Sequence, residues 1–184
     1  MADDRDIIDV LLEDHQEFRT LFSELETADP HDRQELFAYA VERLASHEAA
    51  EEALVHRTVR DHVPEGREIA EAVLAEEADA EQLLKDMTEM EPDSQEFIAA
   101  LARLRDQVLE HAQHEERDEF PRIREHLSAD RRQDMGRRFQ RICEAGPSRP
   151  HPGTPQTPEV RAALGPIVGA FDRARDTVRE AFPD

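Results

Sequence analysis

Apolar side chains recur at helical spacing along four long segments of the chain. These segments span residues 4–26, about 31–62, about 66–90, and a stretch that begins at Pro92. Within each segment the apolar positions lie three or four residues apart, which places them on one face of an α-helix. Short stretches with proline or glycine separate the segments and predict turns. Four long amphipathic helices joined by such turns predict an all-α fold, an antiparallel up-down four-helix bundle.

Shorter elements are predicted after the four long helices. Pro121 is predicted to kink or end the fourth helix, and Ser128 can cap a short fifth helix that runs to about Cys143. The segment 146–158 contains five prolines and predicts an extended linker. The predicted organisation is a bundle domain over residues 1–145, a Pro-rich linker over 146–158 and a C-terminal helix within 159–184.

Composition and charge narrow the range of partners. The chain has 184 residues, of which 36% are charged, and its net charge is −21. A surface of this charge repels nucleic acid and anionic lipid, so neither is an expected partner. The lone Cys143 cannot form an internal disulfide, and the sequence has no signal peptide and no apolar run near the ~18 residues of a membrane helix. We therefore expect a cytoplasmic protein.

Titratable residues interrupt the apolar stripes of all four long helices at mid-height. His47 and Glu51 lie four residues apart, one helical turn, and His111 and Glu115 repeat the pattern 64 residues later. A buried charge costs several kcal/mol unless it is paired or bound to a metal. Two such pairs on core faces therefore predict a metal site inside the bundle.

Each of these pairs has an earlier candidate ligand upstream. His15 lies 32 residues before His47, Glu77 lies 34 residues before His111, and Glu81 follows Glu77 by one turn. The predicted metal ligands are His15, His47, Glu51, Glu77, Glu81, His111 and Glu115. Three imidazoles and four carboxylates are about what two metal ions need, and this donor set favours iron or manganese over copper or structural zinc.

These motifs resemble the bacterial hemerythrin-like (HHE cation-binding) domain family over roughly residues 5–143. The resemblance is carried by Asp14-His15, by the two His-x-x-x-Glu turns and by Phe120-Pro121 after the second turn. It implies a hemerythrin-like bundle that holds two iron ions bridged by oxide or hydroxide, with manganese or zinc less favoured. It also implies O₂, peroxide or nitric oxide as the ligand, and the Pro-rich segment and last helix are similar to an extension in bacterial members.

The sequence departs from the family at three places. The family usually has a histidine where this chain has Glu77, and a second frequent histidine of the same helix falls at Ala72. The family also often has Tyr-Pro where this chain has His56-Arg57. His56 lies nine residues after His47, about 180° around an α-helix, and is therefore expected to face away from the site. His114 offers either a rival register for the second motif or a partner for its ligands, whereas Glu116 is expected on the surface.

The site allows several functions. The first is binding or sensing of O₂ or a related small ligand, and the second is a catalase-like or ferroxidase-like enzyme. Glu77 in place of a neutral imidazole would stabilise Fe(III) over Fe(II), which favours oxygen or peroxide chemistry over reversible O₂ carriage. The alternative is a degenerate, metal-poor bundle that acts as an interaction or metal-buffer protein.

Overall fold

The computed structural model describes residues 5–87, 89–91, 93–144 and 170–181, and all the regular elements in them are helical. These elements are α1 (Ile7–Thr27), α2 (Pro30–Glu51), a first π turn (Glu52–His56), α3 (Arg57–His62), α4 (Gly66–Met87), α5 (Gln95–His114), a second π turn (Glu115–Glu119), α6 (Phe120–His126), α7 (Ala129–Glu144) and α8 (Ala170–Ala181). The predicted all-α bundle is confirmed. The predicted linker 146–158, and the part of the last helix before Ala170, lie outside the described residues.

Side-chain caps set the helix starts. Asp6 accepts hydrogen bonds from the backbone N–H groups of Ile8 and Asp9, and α1 therefore begins later than residue 4. Ser94 accepts from the Phe97 N–H, which moves the start of α5 from the predicted Pro92 to Gln95. In both places the helix begins directly after the cap residue, later than the apolar pattern predicts.

The second and fourth predicted helices each contain a π turn at the same height. The first π turn leads from α2 into α3, and the second leads from α5 into α6. Pro121 is the second residue of α6, just after the second π turn, where the α-helical hydrogen-bond ladder is already interrupted. The predicted outcomes at Pro121 are a kink or an end, and the end does not occur, because α6 continues to His126.

α2 lies at the centre of the molecule. It contacts α1, α7 and α8, and its residues from Phe37 to Glu51 are almost all buried. The apolar side chains Phe171, Ala174 and Val178 of α8 are buried, so this helix covers the outer face of α2. The consequence is that His47 and Glu51, the candidate ligands on α2, are buried.

α7 crosses the start of α1 at very close range. A Cβ atom at Gly136 would lie 2.7 Å from the backbone oxygen of Arg5, so only glycine fits there. This approach brings Phe139 of α7 into the core, where its ring packs edge-on against the His47 ring, with the two ring centroids 5.5 Å apart.

Within the described residues, no helix is both long and apolar enough to cross a membrane.

Candidate metal centre

Four buried histidines meet in the middle of the bundle, and a carboxylate holds the Nδ1 atom of each. The four pairs are His15 with Glu116 (2.9 Å), His47 with Asp14 (3.1 Å), His56 with Glu119 (3.2 Å) and His111 with Glu76 (3.2 Å). When the Nδ1–H group donates to a carboxylate, the lone pair of the ring lies on Nε2. This arrangement orients metal-binding histidines in proteins and raises their basicity.

The Nε2 atoms lie close to a second set of carboxylates. Nε2 of His47 lies 3.1 Å from Oε2 of Glu51, and Nε2 of His15 lies 3.3 Å from Oε2 of Glu115. Nε2 of His111 lies 3.6 Å from the same Glu115 oxygen. Two atoms that bind one ion lie about 3–4 Å apart, because each sits about 2.1 Å from the metal.

Three groups of potential ligands share one residue. The groups are His15 with His47 and Glu51; Glu48 with Glu51, Glu77 and His111; and Glu51 with His56 and Glu115. Within each group the donor atoms all lie within 4.8 Å of one another. Glu51 belongs to all three groups and is fully buried, which suits a carboxylate that bridges two ions.

Several buried donor atoms of this centre have no hydrogen-bond partner among the described residues. Neither carboxylate oxygen of Glu51 or of Glu115 has a hydrogen-bond partner, and the Nε2 atoms of His15 and His111 have none either. Buried polar atoms in folded proteins are almost always satisfied, because an unsatisfied one costs a few kcal/mol. Cations at the centre would satisfy all of these atoms, so the residues fit a metal site.

The buried carboxylates of the centre resist ionisation in the absence of a cation. Burial, followed by the charge of Glu51, raises the pKa of Glu115 well above its usual value. Burial, followed by the charge of Glu77, does the same to the pKa of Glu48. A metal ion would replace the protons that these groups retain.

Two of the histidines, His47 and His56, have raised pKa values, whereas the pKa of Glu51 is lowered. Burial alone would lower the pKa of His47, but the carboxylates of Glu51 and Asp14 outweigh it and raise that pKa well above its usual value. Burial alone would also lower the pKa of His56, but the carboxylates of Glu119 and Glu77 outweigh it and raise that pKa well above its usual value. Burial would raise the pKa of Glu51, but the adjacent histidines lower it to about 2. Without a cation, the pKa values of His47 and His56 therefore favour imidazolium, and that of Glu51 favours the carboxylate.

The first π turn explains why His56 faces inward. Glu51 and His56 lie five residues apart, which is about 140° of rotation in an α-helix but about one full turn in a π-helix. His56 is 1% exposed, so the prediction that it faces away from the site is wrong. The π turn brings His56 to the same face of the helix as Glu51. α-Helical spacing in the sequence cannot reveal this position, because it assumes a constant rotation per residue.

Six of the seven predicted ligands meet at the centre: His15, His47, Glu51, Glu77, His111 and Glu115. Glu81 does not belong to any of the three groups. Its carboxylate pairs with Lys85 at 2.7 Å and with Arg175 of α8 at 3.0 Å.

Sequence reasoning missed two members of the centre and misplaced one neighbour. The two members are His56 and Glu48, although Glu48 lies three residues before Glu51 and therefore on the same helix face. Glu116, expected on the surface, is half-buried and contacts the Nδ1 atom of His15. His114 lies outside the three groups, and its Nδ1 lies 2.7 Å from Glu76, the residue that also holds His111.

A small pocket between α1, α2 and α5 reaches the centre. Its lining combines the imidazoles of His15, His47 and His111 with the apolar side chains of Phe18 and Val108. A small molecule there would contact the imidazoles directly while apolar groups surround it.

Comparison with known proteins agrees with this geometry. The family model of the hemerythrin HHE cation binding domain matches residues 6–123. The chain belongs to this family. The match includes α1 through the second π turn, and therefore every residue of the three ligand groups.

Two relatives of this HHE-domain protein differ in how much of their length it covers. An uncharacterised hemerythrin-like protein of Schizosaccharomyces pombe is 26% identical over 179 residues, which cover 95% of this chain and 87% of the relative. A DNA nickase of Nostoc is 30% identical over 138 residues, which cover 74% of this chain but 39% of the nickase. No solved structure matches.

Proposed function

We propose that this HHE-domain protein holds two iron ions in the bundle core and binds O₂, peroxide or a related small ligand there. The observation that carries the proposal is the set of three ligand groups that share Glu51. Within these groups, both carboxylate oxygens of Glu51 and of Glu115 are buried without a hydrogen-bond partner. The family match supports cation binding, and the identity of the cation as iron is inferred from the donor set.

The donors favour iron by their chemical type. The groups offer imidazole nitrogens and carboxylate oxygens and contain no thiolate. This mixture suits iron and manganese, whereas structural zinc sites are closed tetrahedra that often include cysteine. The three groups together contain eight side chains, which exceeds the four ligands of one tetrahedral ion.

The protein residues would hold and orient the ion pair. Glu51 and Glu115 lie between the histidines and would bridge the ions, while Asp14, Glu116 and Glu76 fix the imidazole rings through Nδ1. An iron pair supplies reversible change between Fe(II) and Fe(III) and an open coordination position for a small ligand. The pocket beside Phe18 and Val108 would admit that ligand to the imidazole side of the pair.

The excess of carboxylates favours oxidase or catalase-like turnover over O₂ carriage. The three groups contain four glutamates, Glu48, Glu51, Glu77 and Glu115. Anionic ligands stabilise Fe(III) relative to Fe(II), which lowers the reduction potential of the pair. We therefore expect a centre that rests oxidised and does not form a long-lived adduct with O₂.

The test is anaerobic loading of the metal-free protein with Fe(II), followed by metal analysis and absorption spectroscopy. We expect about two irons per chain, a near-ultraviolet band after exposure to O₂, and a spectral change on addition of azide. Sustained release of O₂ from peroxide would identify catalase-like activity. Less than about 0.3 iron per chain would contradict the proposal and favour the metal-poor bundle. Parallel loading with Mn(II) and Zn(II) tests the choice of metal.

DNA nicking is not proposed for this chain. The nickase of Nostoc is more than twice as long as the part that the chain matches, because the match covers 39% of it. The net charge of −21 also opposes contact with a phosphate backbone.

A further inference from the structure

His56 is the fourth imidazole at the proposed iron pair, and its ring faces three carboxylates. Its Nε2 lies 2.6 Å from Oε1 of Glu77 and 4.0 Å from Oε1 of Glu115. Its Nδ1 lies 3.2 Å from Oε1 of Glu119, which is 0% exposed. A simple buried ion pair would need one carboxylate, whereas these three exceed what one imidazolium can neutralise.

The surroundings of His56 repeat those of the other three histidines. A carboxylate holds Nδ1 from outside, and Nε2 is directed at the shared carboxylates. Both oxygens of Glu115 and one oxygen of Glu119 have no hydrogen-bond partner, although they are fully buried. Both nitrogens of His56 have carboxylate partners, Glu119 at Nδ1 and Glu77 at Nε2, but the oxygens of Glu115 and Glu119 beside it remain unsatisfied. These oxygens point to a missing cation, which would take the place of the proton on Nε2.

We propose that His56 binds one of the two metal ions through Nε2, and that Glu119 is its positioning residue. The inference rests on the proposed two-ion centre. His56 forms its own group of potential ligands with Glu51 and Glu115, whereas His111 belongs to the group with Glu48, Glu51 and Glu77. One ion is then held by His56 with Glu51 and Glu115.

The other ion is held by His15 and His47, which form their own group with Glu51. Glu51 belongs to both groups and links the two ions. Without His56, its group would retain only the carboxylates of Glu51 and Glu115.

The first test compares His56→Gln with His114→Gln in the full chain. His114 is a matched control because it also pairs with a glutamate but lies outside the three ligand groups. After Fe(II) loading and oxidation, we expect about two irons in the wild type and in His114→Gln, and about one in His56→Gln. The single ion should give the EPR signal of isolated high-spin Fe(III), because its coupling partner is lost. Two irons in a folded His56→Gln protein would overturn the proposal.

Chemical rescue separates a ligand from a merely structural side chain. His56→Gly leaves a space that free imidazole can enter, and we expect millimolar imidazole to restore the second iron. Imidazole should have no effect on the control His114→Gly. Failure of imidazole to restore iron to a folded His56→Gly protein would contradict a ligand role.

X-ray absorption of the iron-loaded wild type keeps the proposal testable even if the variants do not fold. We expect an average of two imidazoles per iron, because four histidines serve two ions; three histidines would give one and a half. A wild type with two irons but the lower imidazole count overturns the role of His56 alone. A wild type that binds no iron overturns both this inference and the proposed function.

Discussion

The Nδ1 atom of His47 lies 3.1 Å from Oδ2 of Asp14, the residue that directly precedes His15 in the chain. Neighbouring residues of α1 therefore serve both histidines of the first ligand group: His15 belongs to the group, and Asp14 orients His47. Arg43 lies 3.3 Å from the other oxygen of Asp14 and helps to hold that carboxylate in its ionised form. The relative position of the two imidazoles thus depends on a short contact between α1 and α2.

Asp14→Asn is expected to weaken metal binding without unfolding the bundle. The amide can still accept a hydrogen bond from His47, but it lacks the charge that makes the imidazole a stronger ligand. Loss of such a contact typically lowers metal affinity about 10- to 100-fold. Competition with a chelator measures the change. Glu13→Gln is the control, because Glu13 is exposed and pairs with Arg5 at the surface; an equal loss in both variants would contradict the role of Asp14.

Glu51→Gln is expected to remove most of the bound metal. Glu51 belongs to all three ligand groups, and a neutral amide cannot bridge two cations as a carboxylate does. Metal analysis should find less than about one iron per chain. Glu52→Gln is the neighbouring control, since the Glu52 side chain is about half exposed and pairs with Arg175. Retention of two irons in Glu51→Gln would show that this residue does not bridge.

The metal-free protein is expected to lose stability as the pH rises from 7 to 9. The groups whose pKa is raised in the folded state are His47, His56, Glu48 and Glu115. A raised pKa means that the folded chain binds more protons than the unfolded chain, so the free energy of unfolding decreases as the pH increases.

Two other groups of the centre do not reverse this trend. The pKa of Glu51 is lowered to about 2, and the pKa of His15 is lowered mainly by burial, so neither changes charge between folded and unfolded chains above pH 7. Thermal unfolding of chelator-treated protein checks the sign. Iron affinity should change in the opposite direction and increase with pH, because the metal displaces protons. A Tm of the metal-free protein that rises across this range would contradict the arrangement.

Cys143 is expected to react slowly with alkylating reagents in the folded protein. Burial raises the pKa of its thiol to about 11, so the thiolate that attacks such reagents is scarce. A thiol pKa of about 11 in place of the usual value near 9 lowers the thiolate fraction about 100-fold at pH 8. Alkylation in the native state and in denaturant, followed by mass spectrometry, measures the ratio. Equal rates would show that the thiol is accessible and its pKa ordinary.

The sequence alone predicts the fold and most of the centre because helical spacing determines both. The four long helices and the two His-x-x-x-Glu turns follow from contacts three and four residues apart, which every α-helix forms. Glu81 shares that spacing with Glu77, yet its partner Arg175 comes from α8 beyond the predicted linker. A contact so distant along the chain leaves no local pattern, so Glu81 could not be separated from its neighbour.

Helical spacing wrongly includes Glu81 among the ligands, and it wrongly excludes His56. Counting α-helical turns from His47 predicts that His56 faces away from the site. The π turn between the two residues changes the rotation per residue and brings His56 to the inner face. The residues of this turn, Glu52–His56, include no proline or glycine that would indicate an irregular helix. The interruption becomes visible only when His56 is found beside Glu77 and Glu119.

A π turn lets a helix hold one more residue without changing which side chains reach the centre. Deletion of one residue between Glu51 and His56 would restore ordinary α-helical winding without removing a ligand from α1 or α5. His56 would then lie four residues after Glu51, again about one turn, and everything after the deletion would keep its direction relative to the bundle. In an alignment, such a protein would differ by a single gap, and yet its helix would carry the same side chains to the centre.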